Sequence, residues 1–274
     1  MKAILKSILS VTLPAILLFG CEDTVEVNVP EVAPRLVIEA SINVPKRGLP
    51  QPQQIRLTTS APYYAGGVPA ASGAEVRITD SQGNTYTFAE DENTGIYYNS
   101  RLIPEPEQDY TLDIVYQGEH YTATETMKTV VQIEDILQSS GGGFSGEDYD
   151  IKAYFTDPAD EDNYYLFEFV PDIDLIPTLQ VFEDEFIQGN RIFAYYTDED
   201  LKQGDRITIR VYGVTQRFYN FMSILLDQNS GQGNPFQTQP ATVRGNCKNI
   251  TDEDNFPFGY FRLSEVHEVV YTIE

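Results

Sequence analysis

Tryptophan is absent from the 274 residues, and cysteine and histidine occur only twice each. Each scarcity removes a class of function. Lack of tryptophan argues against a flat sugar-stacking platform. Zinc sites need clustered histidine and cysteine, and His120, His267 and Cys247 are scattered along the chain. Cationic side chains are also few: 18 lysines and arginines stand against 42 aspartates and glutamates, a formal net charge of −24. Such a field repels DNA, RNA and anionic headgroups, which disfavours a nucleic-acid role. Long apolar runs are missing too. The stretch from Ile8 to Phe19 is about a dozen residues with Pro14 inside it, short of the ~20 that a membrane span requires.

What surrounds that short run is informative. Lys2 and Lys6 give it a basic start, Gly20 closes it with a small residue, and Cys21 follows directly ahead of Glu22 and Asp23. These are the parts of a secretory signal, expected over residues 1–20. A cut after Gly20 makes Cys21 the first mature residue and, by removing Lys2 and Lys6, takes the net charge from −24 to −26. Leu18-Phe19-Gly20-Cys21 resembles a bacterial lipobox, which implies diacylglycerol on the Cys21 sulfur and an N-acyl chain such as palmitate. Each buried methylene contributes ~0.8 kcal/mol, so two or three chains hold a protein on a bilayer essentially permanently. No other cofactor is expected. With Cys21 acylated, Cys247 has no partner for an internal disulfide. Stability must then come from a core, for which 15 phenylalanines and 18 tyrosines are ample.

Residues 21–34 read as an acidic tether. Beyond them short alternating segments recur. Val76 and Ile78 alternate with polar residues before a turn at Asp80–Asn84, and Tyr86 and Phe88 alternate on the return. Tyr110–Tyr116 and His120–Thr126 flank Gln117-Gly118-Glu119 as a second hairpin. This spacing predicts an immunoglobulin-like or transthyretin-like β-sandwich over 35–137. Ser139–Gly146 holds three consecutive glycines and is either a domain joint or a hairpin loop. No Lys-Ser/Thr follows it, so it is not a phosphate cradle. A second β-rich domain is expected over 147–274, with strands at Tyr149–Phe155, Tyr164–Val170, Arg206–Tyr212, Phe261–Leu263 and Val266–Ile273. Its one amphipathic helix is expected at about 215–227, capped by Thr215 and packing Phe218, Phe221, Met222 and Leu225.

Candidate sites are few. Asp157, Asp160 and Asp162 lie on one acidic loop whose oxygens suit calcium, although the spacing is not that of an EF-hand and a solvated turn is the ordinary reading. Consecutive strand residues face opposite ways, so half of the rings in the tyrosine doublets (Tyr63-Tyr64 and Tyr97-Tyr98 foremost) are expected to face solvent, where tyrosines suit protein or sugar contacts; tyrosine as a common strand residue is the ordinary reading. His120 and His267 read as surface imidazoles in strands. No Gly-x-Ser-x-Gly elbow is present, and no catalytic residue is assigned; the chain is expected not to be an enzyme.

Several segments together resemble one family. They are the Cys21-Glu-Asp23 start, Pro34-Arg-Leu-Val-Ile-Glu39, Thr59-Ser-Ala-Pro-Tyr63, Gly73–Asp80, Gly83-Asn-Thr-Tyr86, Tyr121–Met127, Asn234-Pro-Phe236, Val243-Arg-Gly-Asn246 and Phe258-Gly-Tyr-Phe261. The family is that of Bacteroidetes surface lipoproteins carrying the domain of unknown function number 4249. The resemblance implies an outer-membrane, cell-surface lipoprotein that works beside a TonB-dependent transporter barrel as a non-enzymatic accessory to cargo capture. It also implies that Glu22-Asp23 acts as a surface-export signal. The competing expectation is a stand-alone adhesion module for a glycan or peptide. Under the transporter reading, the loops around Gly141 and over Gln228–Thr238 are the first contact segments to test.

Overall fold

The computed structural model describes residues 33–62, 66–142, 146, 148–159, 161–174, 176–184, 188–230 and 242–274. Cys21, Glu22, Asp23, Tyr63, Tyr64, Asp160 and most of the Gln228–Thr238 segment lie outside them. Pro34–Glu274 is one compact unit.

The described chain is mainly β with one helix. Its elements are β1 (Leu36–Pro45), β2 (Gln53–Thr59), β3 (Glu75–Asp80), β4 (Thr85–Glu90), β5 (Ile96–Asn99), β6 (Asp109–Tyr116), β7 (Glu119–Thr126), β8 (Asp135–Gly142), β9 (Asp148–Thr156), β10 (Tyr164–Pro171), β11 (Thr178–Glu183), β12 (Arg191–Asp198), β13 (Arg206–Val214), α1 (Gln216–Ser230), β14 (Lys248–Asn249) and β15 (Phe258–Thr272). Twelve strands join in the order β11-β10-β13-β15-β1-β2-β5-β4-β3-β6-β7-β14, and β12-β9-β8 make a separate sheet.

Period-2 patterning explains the first half. Leu36, Ile38, Ala40 and Ile42 of β1 are buried while Glu39 and Ser41 face solvent, as a half-buried strand requires. The long sheet turns over at the narrow β4–β5 pairing, which has only Ala89↔Tyr98 and Glu90↔Tyr97. This brings Ile78, Leu112 and Ile114 against Ile38, Ile55 and Leu57 in one core. Glu90 fastens the corner, accepting from the Gly73 and Gly95 amides at 2.9 and 3.0 Å. Burial works against its ionisation, but those two amides, with the Ser72 and Tyr97 hydroxyls, hold the carboxyl below its usual range.

The second half is built from aromatics. Phe155, Tyr165, Phe167 and Phe169 meet Ile207, Ile209 and Val211 between the β10–β13 region and the three-stranded sheet. The first core takes its residues mainly from 36–127 and the second from 151–273, but Val130 and Ile133 belong to the second, Cys247 to the first, and β15 runs through both. Its first stretch pairs in parallel with β1, from Val37↔Phe258 to Pro45↔Val266. Its second pairs antiparallel with β13, from Tyr212↔Val266 to Arg206↔Thr272. Phe261 and Leu263 accordingly sit in the first core, and Val269 and Tyr271 pack against the second.

Two strands were expected where β15 is continuous, because Ser264-Glu265 reads as a polar break. Ser264 is instead fully buried, its hydroxyl donating to the Gly213 carbonyl at 2.6 Å. Gly213 itself admits no side chain: a Cβ there would lie 1.8 Å from the Thr129 carbonyl oxygen. The glycine run closes a hairpin, since β8 and β9 pair antiparallel as far as Gly142↔Asp148. The strands β8, β11 and β12 were not anticipated; their own sequences are polar or acidic at the ends, and pairing to β9 and β10 supplies what propensity does not.

Helix α1 begins as expected, with the Thr215 hydroxyl accepting from the Phe218 amide at 3.3 Å, and it continues past 227 to Ser230. Phe218, Phe221 and Met222 pack against Tyr164, Leu179 and Tyr260. Leu225, expected on that stripe, is exposed.

Candidate functional site

The doublets Tyr97-Tyr98 and Tyr195-Tyr196 divide as strand geometry dictates, whereas Tyr164 is half-buried in the helix-side cluster and Tyr165 is buried. Tyr97 is buried and donates to the Ala71 carbonyl at 2.9 Å, while Tyr98 is exposed on the outer side of β5. Tyr195 is exposed and Tyr196 buried on β12. The outward rings are far apart in the chain and sit on different sheets.

Of the acidic loop, the described Asp157 and Asp162 have different surroundings. Asp162 is exposed and accepts from Gln188 at 3.3 Å. Asp157 is buried in the second core, where its Oδ1 accepts the Tyr165 hydroxyl at 2.6 Å and its Oδ2 has no partner among the described residues. Burial, and the nearby Asp184 charge, push its carboxyl above the usual range even though Tyr165 bonds it. No group of three metal-ligating side chains occurs among the described residues.

The histidines differ from each other. His120 keeps a surface position, 2.8 Å from Asp113. His267 is buried rather than superficial, and its Nδ1 accepts the Ile133 amide at 3.1 Å. This fixes the proton on Nε2. Burial, with Arg47 and Lys46 nearby, holds its pKa below the ordinary value. Cys247 is a buried thiol in the first core, and burial pushes it up to about 12, so it is not a nucleophile at neutral pH.

Two polar constructions were not anticipated. In the first, the Asn246 side chain acts as a short strand along β15: Oδ1 accepts from the Phe261 amide at 2.9 Å and Nδ2 donates to the Phe261 carbonyl at 2.8 Å. Nδ2 also donates to the buried Glu125 carboxylate at 3.0 Å, which the Tyr260 hydroxyl reaches at 2.9 Å. Gly245 precedes it because a Cβ there would fall 1.6 Å from the Gly259 oxygen.

The second is a cleft of about 570 Å³ on the face of β1, β15 and β13 turned away from the first core. Ser41, Asn43, Arg210 and Tyr212 line it, together with Arg47 and Gln51 of the β1–β2 connection. Arg210 donates to Glu268 at 2.6 Å and to Glu168 at 3.0 Å, and Tyr212 donates to Glu168 at 2.8 Å. Although burial opposes its charge, the two carboxylates raise the Arg210 pKa further. Arg47 donates to Gln132 at 2.6 Å.

Arg262 lies beside this cleft. Its register partner on β1 is Ser41, and its guanidinium carbon lies over the rings of Tyr212 and Phe218, 4.6 and 5.2 Å from their centroids. The residue is 6% exposed, and Nε and Nη1 have no hydrogen-bond partner among the described residues. The only trace in the sequence is an arginine flanked by Phe261 and Leu263 inside a strand, which identifies burial but no partner.

Two solved structures are similar over part of the chain. A two-domain fibronectin type-III segment from chicken tenascin shares 12% identity, covering 66% of this chain and 90% of that one, with a TM-score of 0.21. A DUF4785 family protein from Legionella pneumophila shares 7% identity over 65% of this chain and 52% of that one, with a TM-score of 0.26. No curated protein matches the sequence. Residues 22–269 match the family model described as a domain of unknown function, DUF4249, and the chain belongs to that family.

Proposed function

We propose that this protein is a lipid-anchored, non-enzymatic lipoprotein of the outer-membrane surface in Bacteroidetes, and that it assists a TonB-dependent transporter in capturing cargo. The observation that carries the reading is a junction. The family match starts at residue 22, directly behind Cys21 of the lipobox-like stretch. The signal therefore ends where the family domain begins. Acyl chains on Cys21 fix the molecule in the plane of the membrane, and Glu22-Asp23 directs export. A 14-residue connection from Cys21 to Pro34 reaches at most about 50 Å when extended, enough for the β body to meet a neighbouring barrel. Cytoplasmic or periplasmic retention would end the proposal. Labelled palmitate should enter the wild-type chain and not Cys21→Ser, protease added to intact cells should remove the β body, and mild detergent should co-extract it with a barrel. Unlabelled chain, or chain shielded on intact cells, refutes the anchor; a labelled, shaved chain that never co-purifies with a barrel refutes the partnership alone.

A second reading, a stand-alone binder of a glycan or peptide, is supported by the cleft beside Arg262, which is a concave polar site of ligand size. Affinity of the purified chain for such a ligand without a barrel favours it.

A further inference from the structure

We propose that a second pocket, formed by α1 with Thr242–Gly245, binds a small amphipathic carboxylate. Arg217 and Arg244 would hold its acid group, and Phe221, Ile224, Val243 and Tyr260 its apolar body. All six line a cavity of about 310 Å³, at the small end of the range for ligand sites. No carboxylate lines it among the described residues, although the chain carries a net charge of −24. Residues 231–241, which join α1 to Thr242 in sequence, contain no Asp or Glu either. The pocket shares no lining residue with the cleft over β1, β15 and β13 and depends on neither reading of function above.

Both guanidiniums are open to solvent and both are held in place. Arg217 and Arg244 are exposed residues. Arg217 donates to the Thr124 carbonyl at 3.4 Å, and the Arg244 guanidinium carbon lies 3.7 Å from the centroid of the Phe256 ring. Neither forms an ion pair among the described residues. A guanidinium stacked on a ring keeps its in-plane N–H groups free, and a planar carboxylate matches them. The Glu125 carboxylate under Tyr260 is taken up by Asn246 and the Tyr260 hydroxyl, at 3.0 and 2.9 Å. Two guanidiniums against that one carboxylate leave a single positive charge, which a monoanion neutralises.

The remainder of the pocket is apolar. Arg217, Phe221 and Ile224 recur at helical spacing, so one face of α1 presents a cation first and apolar groups after it. The Tyr260 ring is fixed against Phe218 and Phe221, with centroids 5.0 and 4.9 Å away. Ile224 is 48% exposed. A single ring or a short branched chain would cover it while the acid meets the arginines.

The test is calorimetric titration of the full chain in mild detergent with hydrocinnamate and with isocaproate. Hydrocinnamamide lacks the charge, and acetate lacks the body. At least one probe acid is expected to bind with submillimolar affinity, and the two counterparts about tenfold more weakly or worse. Affinity should fall several-fold as salt rises from about 0.02 M to about 0.3 M, because the arginines are exposed. Arg217→Gln and Arg244→Gln should each weaken binding about tenfold with the unfolding midpoint nearly unchanged. Ile224→Glu should abolish binding by placing a carboxylate in the pocket. Arg206→Gln, which removes a positive charge outside the pocket, should leave binding as it was. If one arginine variant does not fold, the other decides. Failure of both acids to bind, equal binding of the amide or of acetate, undiminished binding by the arginine variants, or an equal loss in Arg206→Gln overturns the proposal.

Discussion

Asn246 does at the scale of one side chain what a strand does at the scale of a segment. It satisfies both backbone groups of Phe261 and ties them to Glu125 of β7. Asn246→Ala leaves those buried groups unpaired and is expected to cost roughly 2–4 kcal/mol, read as a lower denaturant midpoint with an unchanged slope. Asp157 gives the opposite case. Its carboxyl is raised above 3.8 in the folded protein, so the folded state holds the proton more tightly than the unfolded chain. The stability tied to that proton is present below 3.8 and lost as pH rises through the folded value. Asp157→Asn retains an oxygen for Tyr165 and should raise the unfolding midpoint at pH 7.5 by about 2–4 °C. The gain should vanish in acid, and a gain independent of pH would contradict this account. Side-chain parity was legible here: Tyr97 inward and Tyr98 outward follow from strand geometry alone. The roles of Asn246 and Arg262 were not, because each depends on a neighbour brought close by pairing, such as Glu125 lying 121 positions away.

Elements were legible where their signals are local. The Gln117-Gly118 hairpin carries positive φ at both positions, 50° and 83°, as its two-residue turn demands. Helix α1 starts where Thr215 can cap it. Thr215→Ala should therefore destabilise the protein by about 1 kcal/mol, and Thr215→Ser should restore most of that loss in the same denaturation assay. Where pairing overrides propensity, the signal fails. β8 carries Ser139-Ser140-Gly141 into a ladder because β9 holds it, and β12 buries Ala194 and Tyr196 against the second core beneath an exposed Phe193 and Tyr195. The lengthened β15 belongs to the same class, since Ser264 is polar in sequence and wholly enclosed in the fold.

For the whole molecule the decisive fact is that β15 completes both cores. The two β regions should unfold in one cooperative transition, with tyrosine fluorescence and far-ultraviolet circular dichroism coinciding. A fragment ending at Leu137 lacks Phe261 and Leu263 and leaves β1 without its parallel partner, so it should show no cooperative transition when expressed alone. Two separated transitions in the intact chain would contradict the shared-strand account. The shared strand also governs how the molecule bears tension. The N-terminal connection enters at β1, and β1 is held to β15 by nine register pairs running in the same direction. A pull on the front of β1 against the trailing end of β15 loads those bonds in shear, all together rather than one after another. The tie between β1 and the rest of the protein is then strongest along the line of a pull on the N-terminal end.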